Sequence, residues 1–214
     1  MLSKRGTLAI LTLALGVSTL AALTVRAALG LQGAESDNSG NAFTSAPSFT
    51  STGYLSPSAQ AADTGGDNDG FELNPTDAYA DDSAYATNLH GPGDRHRYYN
   101  YGFSIPSGSA INGIRVRLDW WVNNVGGDNS MSAELSWDGG TTWTAAETDV
   151  VESTSEHTAV LGGPADTWGR TWSPADFSDA NFRVRLTCNC TGAGCASRDF
   201  YLDWVAVSVY YTPP

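Results

Sequence analysis

Positive charge is scarce in this chain. There is no lysine after Lys4, and 11 lysines and arginines face 23 aspartates and glutamates, for a net charge of −12. Without a basic face, neither nucleic acid nor an anionic lipid surface is an expected partner. Sulfur is scarce too, with 3 Cys and 2 Met, and three thiols lacking a nearby fourth ligand make a poor zinc site. The 3 histidines, His90, His96 and His157, stand among polar neighbours, no pair of them has metal-ligand spacing, and no G-x-S-x-G elbow occurs. Acyl transfer and zinc chemistry therefore lack their usual machinery, and no enzymatic activity is expected. From Phe71 onward apolar residues never recur with helical period for long enough to make a core helix. What the chain does have is 23 Gly, 7 Trp and 9 Tyr. That is the composition of a folded, turn-rich β protein, because aromatics supply burial that a disordered acidic segment lacks.

The 214 residues divide into three parts. Lys4 and Arg5 precede an apolar run from Leu8 to Val25, the order of an export signal. Residues 1–27 are expected to be a signal peptide cut after Ala27, or an uncut helical anchor, since roughly 20 apolar residues span a bilayer. Either outcome puts the rest of the chain outside the cell or at its surface, and the only membrane contact would be through an uncut leader. Residues 28–69 are mostly Ser, Ala, Gly, Thr, Asn and Asp, a low-complexity linker with too little hydrophobic surface to offset ordering. Residues 70–214 are the expected domain.

Within that domain, short strand signals are bounded by Gly, Asn, Asp and Pro. Ile114, Val116, Leu118, Trp120 and Val122 alternate with Arg115, Arg117, Asp119 and Trp121, so one face is buried and the other wet. Met131, Ala133, Leu135 and Trp137 repeat the pattern, and the intervening Gly126-Gly127-Asp128 suggests a hairpin that brings Glu134 beside the arginines of the first strand. Phe182, Val184 and Leu186 form another half-buried strand, and the run from Phe200 to Tyr211 is apolar on both faces, as in a central strand or one covered by a neighbouring loop. Further strands near Ala84 to Asn88, Tyr98 to Phe103, Thr142 to Glu147 and His157 to Leu161 bring the count to about eight. The expected fold is all-β, a jelly-roll-like antiparallel sandwich.

Ser136, Asp138, Gly140, Thr142 and Trp143 match S-x-D-x-G-x-T-W, which resembles the Asp-box of sialidases and other β-propeller proteins. In those families the box is structural and recurs in several copies. One copy, in a chain too short for a propeller, implies a structural turn and no sialidase activity. The stretches from Tyr101 to Ile114, Leu161 to Gly169, Trp172 to Phe177 and Asp203 to Tyr211 are similar to a β-sandwich module of secreted bacterial surface proteins and phage structural proteins. That resemblance implies a fold and a location, with no catalytic residue or ligand to carry over.

Asp67, Asp69 and Glu72 gather hard oxygen ligands at the entrance to the domain. Calcium is the one cofactor such a set would favour, against the alternative of a solvated loop. An exported chain meets oxidising conditions, and Cys188 to Cys195 is the expected disulfide, leaving Cys190 over. Glu134, Glu147, Glu152 and Glu156 could approach one another only through the fold. Trp121 shares a wet strand face with Arg115, and Tyr99 follows Arg95-His96-Arg97. Flat rings beside charged groups can stack on sugars, so Tyr99, Arg115 and Trp121 are the candidate ligand contacts of a binding or adhesion module for a surface glycan or another protein. The alternative is a structural subunit that binds copies of itself through the arm or a strand edge in an extracellular filament or sheath.

Overall fold

A computed structural model describes residues 49–214. The expected signal or anchor, and the expected arm as far as residue 48, lie outside the described residues. Ten strands are present: β1 (Thr50–Ser51), β2 (Ala59–Asp63), β3 (Ala86–Asn88), β4 (Arg95–Tyr99), β5 (Ala110–Val122), β6 (Ser130–Ser136), β7 (Glu147–Asp149), β8 (His157–Gly162), β9 (Arg183–Asn189) and β10 (Phe200–Thr212). They make two antiparallel sheets. The first has the order β1-β10-β5-β8, with β3 also on β10, and the second the order β2-β4-β9-β6-β7. From β3 on, the chain changes sheet at nearly every connection, and only β6 and β7 are successive neighbours in one sheet. No helix among the described residues is long and apolar enough to cross a membrane.

The arm ends earlier than the composition suggests. Thr50 and Ser51 pair with Tyr211 and Tyr210, and all of β2 pairs with β4. An edge strand such as β4 or the end of β10 offers unpaired N–H and C=O groups, and a segment needs only its own backbone to satisfy them. Hydrophobic content therefore could not reveal β1 or β2.

The expected hairpin is also corrected. β5 pairs with β10 and β8, whereas β6 pairs with β9 and β7, so the two strands belong to different sheets. The 123–129 segment crosses between the layers, with Gly126, Gly127 and Asp128 all at positive φ. Glu134 consequently meets Arg185 of β9, its Oε2 2.8 Å from Nε, and no arginine of β5.

The core lies between the sheets. Ile114, Val116, Leu118, Trp120 and Val122 of β5 face inward together with Phe200, Leu202, Val205, Val207 and Val209 of β10. Tyr98, Met131, Ala133, Leu135, Val184 and Leu186 of the second sheet oppose them. Inward residues on β10 shift from even to odd numbers because the register slips between Leu202 and Trp204, where Asp203 is bulged. At one end Tyr101, Phe103, Trp172, Phe177 and Phe182 close the layers with ring contacts of 5.2–6.1 Å.

Candidate functional site

The outer face of the first sheet carries Arg115, Arg117, Asp119 and Trp121 from β5 beside Tyr201, Trp204 and Tyr210 from β10. Trp121 sits directly across from Tyr201, and their rings stack at 3.9 Å with 8° between planes. Tyr85, just before β3, meets Trp121 at 5.6 Å and Tyr201 at 6.3 Å, nearly perpendicular to both. All three are half-buried, so each keeps part of its ring in water.

Carboxylates border this group. Glu156 lies beside Tyr85, and its carboxyl is raised by burial and by the charge of Asp203, with Tyr85 acting to lower it. Asp203, fully buried in the bulge, accepts the Asp82 and Ser83 N–H groups at 3.2 and 3.1 Å. Asp119 was expected on the wet face and points there, yet it is fully buried. Arg117 Nη2 lies 2.9 Å from its Oδ2, and the Thr158 hydroxyl donates to its Oδ1. Arg117 also reaches Asp81 at 2.9 Å and covers the Trp204 ring at 4.7 Å.

The three contact residues expected from the sequence do not form one site. Arg115 and Trp121 share the first sheet, but Arg115 lies over Tyr210 at 5.3 Å. Tyr99 belongs to β4 in the second sheet, with Arg183 over its ring at 4.2 Å and its hydroxyl donating to the Gln60 carbonyl at 3.3 Å. Period-two alternation assigns a side chain to a face of its strand and is silent on which sheet the strand joins. Tyr85 and Tyr201 were missed for that reason, although the aromatic pair in Phe200-Tyr201 was visible. Rings elsewhere on the outer faces are capped by cations: Tyr99 by Arg183, Trp143 by Arg185, Trp204 by Arg117 and Tyr210 by Arg115. Among the described residues no arginine lies over Trp121, Tyr201 or Tyr85.

Next to the ring group, beyond Val122, the 123–127 and 193–198 loops enclose a polar cleft of about 440 Å³ lined by Asn123, Asn124, Ser197 and Arg198 among others. Arg198 is 5% exposed and donates to Asn123 Oδ1 and the Gly126 carbonyl. Asn123 in turn donates to Asp199 Oδ2 at 2.9 Å. The disulfide in this loop joins Cys190 to Cys195, not Cys188 to Cys195 as expected. Cys188 continues the inward series of Phe182, Val184 and Leu186 and is a fully buried free thiol, pushed well up by burial.

The S-x-D-x-G-x-T-W turn forms as its residues suggest. Asp138 Oδ1 accepts the Ser136 hydroxyl at 2.9 Å and the N–H groups of Thr141 and Thr142 at 3.1 and 2.8 Å. Burial works to raise the Asp138 carboxyl, and these donors outweigh it and lower it. Gly140 adopts φ +97°, and the Trp143 ring lies 3.4 Å from where its Cβ would stand.

The remaining candidates are dispersed. Glu134 pairs with Arg185, Glu147 accepts the Gly162 N–H, Glu152 accepts from Gly126 and Asn129, and Glu156 adjoins Tyr85. His157 meets Asp149 at 2.8 Å, and His90 lies 3.8 Å from Asp199. His96 is a core residue whose Nδ1 accepts the Phe71 N–H. Of the expected calcium set, Asp67 and Asp69 converge with Asp94 instead of Glu72, and a second group joins Asp81, Glu156 and Asp203.

No family model and no curated protein sequence matches this chain. Among solved structures it is similar to the CBM22-1 and GH10 modules of Clostridium thermocellum endo-1,4-beta-D-xylanase 10B, complexed with xylohexaose, at 14% identity, 75% of this chain, 25% of that one and a TM-score of 0.36. A family two carbohydrate esterase from Cellvibrio japonicus gives 9% identity over 78% of this chain and 36% of that one, with a TM-score of 0.32. The CBM36-1 domain of a multidomain xylanase from the hindgut metagenome of Trinervitermes trinervoides gives 11% identity, 76% and 96% coverage, and a TM-score of 0.31. This chain thus spans about a quarter and about a third of the first two. Likenesses this distant carry no argument about its function.

Proposed function

We propose that this chain is a non-catalytic, extracellular glycan-binding module with jelly-roll topology, its ligand seated on the Trp121, Tyr201 and Tyr85 rings. The carrying observation is that these rings stand on the outer sheet face without the arginine caps that cover Tyr99, Trp143, Trp204 and Tyr210. Half-exposed rings give a sugar an apolar surface to stack on, and Glu156, Asn123 and Asp199 nearby supply acceptors and donors for its hydroxyls. The strand order, with β3-β10-β5-β8 facing β4-β9-β6-β7, supports the jelly-roll reading. An export-type leader and the Cys190–Cys195 disulfide support a location outside the cell.

Retention of the full chain on a panel of insoluble polysaccharides and a glycan array tests this reading. Binding of at least one glycan is expected, with a drop of about tenfold or more in Trp121→Ala and Tyr201→Ala whose circular dichroism is unchanged. A chain that no glycan retains and that elutes as polymers would replace this reading with the filament subunit.

A further inference from the structure

Asp67 and Asp69 lie on the exposed loop after β2, and Asp94 is buried just before β4. One carboxylate oxygen from each lies within 4.8 Å of the other two. Oxygens sharing one calcium at about 2.4 Å each can be that far apart and no farther. Among the described residues none of these three aspartates forms an ion pair with arginine or histidine. Exposed carboxylates alone would say only that the loop is solvated. The buried groups behind them say more.

Asn88 is fully buried and uses its amide nitrogen twice, toward the Gly70 carbonyl at 2.8 Å and Asp94 Oδ2 at 3.0 Å. Its Oδ1 has no hydrogen-bond donor. A Cβ placed on Gly91 would overlap Asp94 Oδ2 and come within 2.6 Å of Asn88 Oδ1, so the unpaired oxygen lies against the Asp94 carboxylate. Nearby, Glu72 takes the Leu89 N–H on Oε1 at 2.8 Å and leaves Oε2 buried without a donor. The donors these oxygens receive are the Asp67 N–H and the Asn88 amide on Asp94 and the Leu89 N–H on Glu72. His96 is turned away, receiving the Phe71 N–H and contacting Gln60 through Nε2. A buried surplus of oxygen acceptors is costly unless a proton or a cation fills it.

We propose that Asp67, Asp69 and Asp94, with Asn88 Oδ1 behind them, bind one calcium ion. An all-oxygen set with no nitrogen or sulfur ligand disfavours zinc, and its assembly from an exposed loop and a buried anchor suits the irregular shell of calcium better than the strict octahedron of magnesium. Glu72, expected as a ligand, is held by Leu89 and gives its place to Asp94. The second acidic group differs in kind, because Asp203 is satisfied by the Asp82 and Ser83 N–H groups and Asp81 by Arg117. This proposal stands apart from the glycan reading, since its residues are not those of the ring group.

Calorimetric titration of the full chain with calcium chloride after chelator treatment, paired with thermal melts, tests it without any glycan. One saturable site per chain and a higher melting temperature at about 1 mM calcium are expected. Asp69→Asn, at an exposed position that should leave folding intact, is expected to weaken binding by about tenfold or more. Asp81→Asn is expected to leave it unchanged. Absence of both heat and a melting shift at about 10 mM calcium overturns the site, as does wild-type affinity in both Asp67→Asn and Asp69→Asn.

Discussion

The Asp203 carboxylate accepts the Ser83 backbone N–H on both of its oxygens, at 3.1 and 3.2 Å, from inside the bulge of β10. Ser83 has φ +67°, so the loop before β3 turns through a conformation that a non-glycine residue adopts only with support. That loop leads directly to Tyr85 and the ring group. Asp203→Ala removes the acceptor for two N–H groups and is expected to cost about 1–3 kcal/mol in a urea titration. It should also weaken glycan retention by loosening Tyr85, whereas Asp203→Asn, which keeps one acceptor oxygen, should lie between Asp203→Ala and wild type on both measures.

Strand β5 was legible residue by residue because its inner face is uninterrupted from Ile114 to Val122. β10 read correctly as central, since it pairs with β5 on one side and with β3 and β1 on the other. Its bulge at Asp203 was not legible, because apolar residues on both strand faces hide a change of phase. β1 and β2 escaped notice for the opposite reason, being held mainly by backbone pairing along β10 and β4. At the candidate site Trp121 was found from its outward position, while Tyr201 and Tyr85 needed the knowledge that β10 and β3 lie beside β5. The β5 to β6 connection looked like a hairpin because a Gly-Gly-Asp turn has the same chemistry whether it reverses the chain within one sheet or carries it to another.

Asp138 makes its turn by gathering two N–H groups and one hydroxyl, and no β-ladder bond substitutes for them. Because the turn is exposed, water can replace part of what is lost on truncation. Asp138→Ala is expected to lower stability by about 1 kcal/mol, a melting shift of roughly 2–4 °C, while leaving glycan retention intact. A loss of binding in this variant would place the ligand on the other sheet, near Trp143.

The cysteines give two separable outcomes. Mass spectrometry of unreduced peptides should find Cys190 linked to Cys195, and thiol titration should detect Cys188 only after denaturation, since it is buried and its thiol is pushed well up. Cys195→Ser opens a short loop, with an expected cost of about 2 kcal/mol on the chain-entropy account. Both loops that line the polar cleft should become more protease-sensitive in that variant, because Cys190 lies against the Gly127 carbonyl at 3.3 Å.

His96 ties stability to pH. Burial, and then the charge of Arg97, bring its folded value down to about 4 from the ordinary histidine value of 6.5. Its Nδ1 accepts the Phe71 N–H and so must stay unprotonated. Above about pH 6.5 neither the folded nor the unfolded chain protonates this ring, and its contribution is complete. Between about 6.5 and 4 the unfolded chain takes up the proton and the folded chain does not, so stability falls as pH falls. The full loss is about 3 kcal/mol. Asp69 works the other way: its raised value favours the folded state as pH drops through about 6, for as long as no cation holds the loop. The His96 contribution is therefore best read as a difference. His96→Gln keeps an acceptor for Phe71 and a donor for Gln60, and its denaturation midpoint should lack the acid-side fall that wild type has over that interval. Equal slopes in the two proteins would mean that His96 is charged in the folded state and that the Phe71 bond is not made.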